Sequence, residues 1–387
     1  MRILFITATY TPSINGVAIT VANLKKELEK NGCDVTVLAP DNPQKLKDEN
    51  GVFRYFSLPN PLAKDYPIPI TPSLKTVMKM LGSNKPDIIH VHHPFNVGYF
   101  SRFIAKYYNV PLVFTYHTRY DEYAESYFKF LPSRFKKVFI QNNVDSFCKK
   151  VDLIVSPSIS ITNSLLKRVP YLNIATIPSG IAEIPKVNLP KEVIRKKLDI
   201  PENKTVLLVV CRVSKEKNLS LIIKSISQLS DHHLLMVVGG GNYEKQVKEL
   251  AVKEGVIDKI RFIGLVEHEK LGIYYQAADL FVYSSTTETQ GLIFLEALSF
   301  GLSIVAVNSE ASREWVSKDM GVLTENTPED FAKGILTFKK KGLKITSKTV
   351  IDYSKQSNVT MTARKLLNEY ELLRKRYGPG NRLLETG

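Results

Sequence analysis

Short apolar, β-branched runs alternate with helix-length amphipathic stretches along this chain, and that alternation limits the fold more than any other feature. The runs in the first half cover residues 3–7, 34–38, 87–91, 112–116, 153–156 and 174–177. They lack apolar–polar alternation, so each reads as a strand buried on both faces. Between the first two, Val17, Val21, Leu24 and Leu28 fall at helical spacing and predict a helix over 17–30. Strands of this kind separated by helices predict a parallel sheet covered on both sides. The pattern stops at 178–190, where Pro178, Pro185, Pro190 and Gly180 read as a linker. A second set follows at 206–210, 234–238, 260–263, 280–283, 304–307 and 321–323, with helices over 218–229 and 243–254 among its connections. The expectation is two doubly wound α/β domains, 1–180 and 190–360, with a helical stretch inside 361–387 folding back on the first. Ligands in such folds lie at the carboxyl ends of strands, and a ligand between two such domains would touch loops of both.

The chain carries 53 Lys and Arg against 38 Asp and Glu, a formal charge of +15. That surplus suits an anionic partner: nucleic acid, a phosphorylated substrate or an acidic membrane surface. Cys33, Cys148 and Cys211 are scattered, with neither metal-ligand nor disulfide spacing, which points to a reducing cytoplasm. The sequence has no apolar run long enough to span a bilayer. Its start, MRILFITATYTP, passes into polar sequence without a small-residue cleavage site, so it reads as a first strand and not as a signal peptide.

Three loops carry the chemistry. After the run at 280–283 comes Ser284-Ser-Thr-Thr-Glu288-Thr-Gln290-Gly291-Leu292-Ile-Phe-Leu-Glu296, a polar loop entering a helix near Gln290. Backbone N–H groups of Gln290, Gly291 and Leu292 at a helix start make a site for a diphosphate. Glu288 and Glu296 lie eight positions apart, at most about 12 Å along a helix axis. One carboxylate can meet the sugar end of a nucleotide sugar and the other its ribose. The spacing equally fits a surface loop acid and an ordinary helix glutamate. The second loop, Cys211-Arg212-Val-Ser-Lys-Glu-Lys217, follows a strand directly. Arg212 with paired donors and Lys217 as a point charge both suit a diphosphate, although a solvated basic loop has the same composition. The third, Asn15-Gly16-Val-Ala after the first strand, lets backbone approach a phosphate at Gly16. Neither this loop nor Gly239-Gly240-Gly241-Asn242 is the glycine pattern of a nicotinamide or flavin site.

His90, His92 and His93 cluster at one strand end, and His117 ends another. No carboxylate–histidine spacing of a metal site accompanies them, and Asp-x-Asp is absent. The histidines read mainly as structural groups, with His117 the one expected to face the crevice. Residues 99–139 interleave aromatics (Tyr99, Phe103, Tyr107 and Phe139 among them) with Arg102, Lys106, Lys129, Arg134, Lys136 and Lys137. Such a stretch suits an anionic bilayer or single-stranded nucleic acid, and it also suits core aromatics beneath a solvated face.

Together, the Glu288–Glu296 segment ending in Glu296-Ala-Leu-Ser-Phe-Gly301, the Arg212–Lys217 strand end and the Asn15-Gly16-Val-Ala loop resemble retaining glycosyltransferases of the GT-B fold. The resemblance runs over nearly the whole chain. It implies two Rossmann-like domains facing across a cleft, a nucleotide sugar between them and no metal or other cofactor. It further implies that Arg212 and Lys217 bind the donor diphosphate, Glu296 holds the ribose and Glu288 faces the sugar. Gly16 would approach the phosphates, Val266 would lie by the base, and His117 would sit near the sugar. The segments around Val91-His-His-Pro-Phe-Asn and Thr115-Tyr-His-Thr-Arg-Tyr look most like bacterial diacylglycerol glucosyltransferases. That likeness implies UDP-glucose as donor, a lipid acceptor and a peripheral place on the cytoplasmic membrane face, with Lys129, Arg134, Lys136 and Lys137 toward the lipid. Cys211 stands where the family often has glycine before the arginine. A soluble-acceptor or mannosyl enzyme shares the donor motifs. A basic nucleic-acid-binding protein would leave the paired glutamates without a role, and no motif of that class appears.

Overall fold

The computed structural model describes residues 1–13, 15–41, 50–60, 67–120, 133–341 and 358–377, with backbone alone at 133–136 and 339–341. The chain divides into two compact units, Met1–Gly180 with Val359–Gly387, and Ile181–Asn358.

The first unit is built on a seven-stranded sheet. Its spatial order is Val52–Tyr55, Asp34–Pro40, Arg2–Ile6, Ile88–Val91, Leu112–Thr115, Leu153–Ser156 and Ile174–Thr176. Every neighbouring pair is parallel. Both faces are covered, as the uninterrupted apolar runs require. Leu4 and Ile6 pack with Val97, Phe114 and Phe147 on one side, and Ile3 and Phe5 with Leu24 and Leu28 on the other. The helix Gly16–Lys30 starts where Asn15 accepts a hydrogen bond from Ala18 N–H, a side-chain cap for an otherwise orphaned donor. The helix Val359–Arg376 returns to this unit. It buries Ala363, Leu366, Tyr370 and Leu373 against the same core, Thr362 donates to the Pro178 carbonyl, and Tyr377 donates to Asp152. Residues 378–387 of the predicted return lie outside the described residues.

The second unit holds a six-stranded parallel sheet in the order Ile260–Gly264, His233–Val238, Thr205–Val210, Leu280–Tyr283, Ser303–Val307 and Gly321–Thr324. One continuous core fills both faces. Each sheet therefore grows outward in two directions from its first strand. The reversal falls between Arg2–Ile6 and Ile88–Val91 in the first unit, and between Thr205–Val210 and Leu280–Tyr283 in the second. A crevice opens at such a reversal because the connections on its two sides leave in opposite directions.

Two features depart from the sequence reading. The edge strand Val52–Tyr55 buries only its two ends and carries Arg54 between them, so its apolar signal is too weak to read. The stretch read as a linker is only partly one. Ile184 joins the second core, and the backbone of Val187 exchanges hydrogen bonds with the Gln276 amide at 2.6 and 2.8 Å.

Candidate active site

Two loops meet at the strand reversal of the second unit. The first leaves Thr205–Val210 and is pressed against the glycine loop after His233–Val238. A Cβ on Gly239 would stand 1.9 Å from the Cys211 carbonyl oxygen, and one on Gly241 would stand 2.2 Å from that of Val213. Gly239 also has φ +127°, a left-handed region that side chains avoid. These glycines are thus required by close backbone packing, and they fix the loop that bears Arg212. Cys211 at the same point is partly buried against the core, and its desolvation pushes the thiol up to about 12. The second loop leaves Leu280–Tyr283, and Ser284 ties the two together by donating to the carbonyls of Lys217 and Asn218, both at 2.9 Å.

The charges in this crevice are paired. Lys217 Nζ lies 2.5 Å from Glu288 Oε1, which also accepts from the Tyr283 hydroxyl at 2.7 Å. Burial raises the Glu288 pKa, but the Lys217 charge and hydrogen bonds from Lys217, Tyr283 and Ser285 outweigh it and hold the carboxyl below its ordinary value. Arg212 Nη2 meets Glu216 Oε1 at 2.7 Å, and Ser214 Oγ donates to that oxygen at 2.6 Å. Arg212 and Lys217 are thus presented by carboxylates at the carboxyl end of one strand.

The helix that follows opens at Leu292, later than the Gln290 start the sequence suggests. Gly291 takes a left-handed conformation, φ +71°, and caps the helix without a side-chain hydrogen bond. The Gln290 carbonyl is held by Trp315 Nε1 at 2.5 Å. One turn into the helix, Glu296 Oε2 accepts from Tyr275 OH at 2.7 Å, and its other oxygen lies 3.9 Å from His268 Nε2. Contact with Glu296 raises the His268 pKa above its ordinary value, against the opposing effect of burial. Tyr275 is fully buried and stacks on Phe300 with the rings 5.0 Å apart. Val266 rests partly buried on the core, two residues after Gly264.

In the first unit, the strand reversal is lined by the first helix start and the histidines. A Cβ on Gly16 would meet nothing within 4 Å, so the described structure gives no internal reason for glycine there. His90 is completely buried between Tyr370 OH at 2.5 Å and Thr115 Oγ1 at 2.6 Å. His93 Nδ1 accepts from the Ala8 backbone N–H at 3.1 Å. His92 Nδ1 and His117 Nε2 are 2.9 Å apart. Burial lowers the pKa of all four, to about 3 for His90 and about 4 for His93. His117 remains partly exposed two residues beyond Leu112–Thr115. Among the described residues no group of His, Cys, Asp and Glu is arranged to hold a metal ion.

Residues 190–357 match the family of group 1 glycosyl transferases, and 14–183 match glycosyltransferase family 4. The chain is 30% identical over 347 residues to an alpha-monoglucosyldiacylglycerol synthase of Streptococcus pneumoniae, covering 87% of this chain and 78% of that protein. It belongs to the group 1 glycosyltransferases. The enzyme of the same name from Acholeplasma laidlawii is 27% identical to this glycosyltransferase, with 88% of each covered. A GDP-mannose-dependent alpha-mannosyltransferase of Mycobacterium tuberculosis is 24% identical, with 82% of each covered. In fold it resembles Anabaena Alr3699/HepE solved in complex with UDP-glucose, at a TM-score of 0.75 and 17% identity over 96% of this chain and 100% of that one.

Within this glycosyltransferase, Arg212, Lys217, Glu288, Gln290, Gly291, Leu292, Glu296 and Val266 all lie in the second unit, and Gly16 and His117 in the first. Direct contacts join Lys217 to Glu288, whereas Glu296 has its own partners, Tyr275 and His268. Sequence reading misses Tyr283, Tyr275 and Glu216, because each acts through a residue that only folding brings near. Of the residues expected to face lipid, Lys129 lies outside the described residues, as do the side chains of Arg134 and Lys136, and Lys137 is exposed. The described part of that stretch shows Tyr99, Phe103 and Tyr107 exposed at four-residue intervals on the helix Asn96–Tyr108, with Arg102 and Lys106 exposed beside them. Val138 and Phe139 are exposed on Ser133–Cys148. Among the described residues no helix is long and apolar enough to cross a membrane.

Proposed function

We propose that this glycosyltransferase moves glucose from UDP-glucose, with retention and without a metal, onto a hydroxyl of diacylglycerol at the cytoplasmic face of a membrane. The observation that carries the donor half is the convergence of Arg212, Lys217, Glu288 and the start of Leu292–Ser299 at one strand reversal. The difficult charge in glycosyl transfer is that of the departing diphosphate. Arg212, Lys217 and the backbone N–H groups around Gln290, Gly291 and Leu292 stabilise it as it forms. Glu296, held by Tyr275, takes the ribose hydroxyls, and Val266 lies by the base. Glu288 meets the hydroxyls of the sugar, where Tyr283 fixes its orientation. Gly16 and His117 act from the first unit, on the phosphates and the sugar.

The acceptor half rests on the two relatives named as diacylglycerol synthases and on the exposed aromatic stripe of Asn96–Tyr108 with its flanking cations. Aromatic rings at headgroup depth with Lys and Arg beside them suit an anionic surface. Nucleic acid is not proposed as a partner. A second reading is a mannosyl donor, which the GDP-mannose-dependent relative supports, or a soluble acceptor. A donor screen separates the two: the protein is incubated with UDP-, GDP- and ADP-sugars, with and without diacylglycerol in phosphatidylglycerol vesicles. The proposal expects an α-glucosyl lipid from UDP-glucose alone. Transfer from GDP-mannose, or to water-soluble acceptors only, favours the second reading.

A further inference from the structure

We propose that His92 is a positioning residue that locks His117 with its proton on Nδ1, so that His117 offers the substrate a hydrogen-bond donor and not a base. This deepens the proposed function and rests on its assignment of His117 to the sugar.

The argument follows the protons. His92 Nδ1 and His117 Nε2 are 2.9 Å apart, so between two neutral rings one nitrogen donates and the other accepts. His92 is completely buried, and its Nε2 has no hydrogen-bond partner among the described residues. Its ring neighbours supply none. Phe5 stands edge-on at 5.0 Å, and His90 lies at 4.4 Å with both nitrogens already engaged by Tyr370 and Thr115. If His117 donated through Nε2, His92 would carry its proton on Nε2, leaving a buried N–H without an acceptor. Orphaned buried N–H donors are rare in folded proteins, rarer than acceptors left without a partner. If His92 donates through Nδ1, its Nε2 is a bare nitrogen and no buried N–H is orphaned, because the unpartnered N–H then falls on the partly exposed ring of His117. His117 Nε2 is then the acceptor, and its proton sits on Nδ1, which has no partner among the described residues.

The neighbouring histidine is fixed in the same sense by a different device. A backbone N–H can only donate, so the Ala8 amide at 3.1 Å forces His93 to accept on Nδ1 and carry its proton on Nε2. His93 and His117 each stand two residues beyond neighbouring strands, Ile88–Val91 and Leu112–Thr115. The pair supplies two uncharged N–H donors for hydroxyl or phosphate oxygen. Burial keeps both rings neutral near pH 7. A donor nitrogen does not remove the acceptor's proton, so His117 orients the sugar and leaves proton removal to another group.

The seven histidines make the test tractable. The full chain, labelled with nitrogen-15 histidine and without substrate at neutral pH, is read by long-range proton–nitrogen correlation, with His92→Asn and His117→Ala used for assignment. The expected pattern is a protonated Nδ1 and a bare Nε2 on His117. In His92→Leu the pattern becomes a mixture and kcat falls roughly tenfold, the scale on which losing a ring-orienting partner costs activity, with KM for the donor little changed. His92→Asn places an amide N–H near the lost Nδ1 and restores both. A proton on His117 Nε2 in the wild type overturns the proposal, as does a wild-type pattern and kcat in His92→Leu. The expected pattern with full activity in His117→Ala overturns instead the assignment of His117 to the sugar.

Discussion

Arg212 and Lys217 each rest against a carboxylate, so in the proposed donor site an incoming diphosphate would compete with Glu216 and Glu288 for them. The competition is favourable only if the site is better matched to two negative phosphates than to single carboxylates. Arg212→Ala and Lys217→Ala should therefore each lose roughly 10²–10³ in turnover at saturating donor, with unchanged circular dichroism. Near wild-type turnover in both would remove them from the donor site. The two glutamates should separate kinetically. With Glu296 on the ribose as proposed, Glu296→Gln would weaken a contact made in ground and transition states alike and should raise KM for the donor, whereas Glu288→Gln should lower kcat. A pure KM effect in Glu288→Gln would exchange their roles. Arg212, Lys217 and Glu288 are legible in the sequence because they sit in the loops that follow apolar strands, and Glu296 because it stands eight positions after Glu288 in the helix beyond. Tyr275 and Tyr283 are not, since a tyrosine inside an apolar run reads as core until the carboxylate it donates to is seen.

At the scale of elements, the central strands are legible because burial on both faces leaves an uninterrupted apolar signature. The edge strand Val52–Tyr55 and the opening of Leu292–Ser299 are not. The first has a half-exposed pattern, and the second is set by the left-handed turn at Gly291. The strand end that carries His90 and His92 has a consequence for stability. Both rings are neutral in the fold because burial lowers their pKa, to about 3 for His90. In the unfolded chain they take protons below about pH 6.5, so the unfolded state binds more protons and stability falls with falling pH. Each contributes up to about 1.4 kcal/mol per pH unit below that point, and the loss for His90 runs on until its folded value near 3. Urea midpoints should be clearly lower at pH 5.5 than at pH 7.5. Equal midpoints would mean that these rings are protonated in the fold.

At the scale of the whole molecule, the basic excess and the exposed aromatics belong to one question, which is whether the enzyme works on a lipid surface. Replacing Lys129, Arg134, Lys136 and Lys137 by Ser should weaken binding to phosphatidylglycerol vesicles by about 3–4 kcal/mol if the contributions add, and donor binding should be unchanged. Sedimentation at low and high salt measures it. Equal binding by wild type and variant would move the docking surface elsewhere. The path of the chain carries a different consequence. The second unit, Ile181–Asn358, is enclosed between two stretches of the first, and the last helix covers one face of the first sheet. A ribosome delivers residues in order, so the unit that begins first is finished last. Its sheet waits with Ile3, Phe5 and His90 lacking Leu366 and Tyr370 while the whole second unit emerges and folds. Nascent chains interrupted before Val359 would hold a complete second unit beside an unfinished first one, and such truncated products are the ones chaperones and proteases should meet.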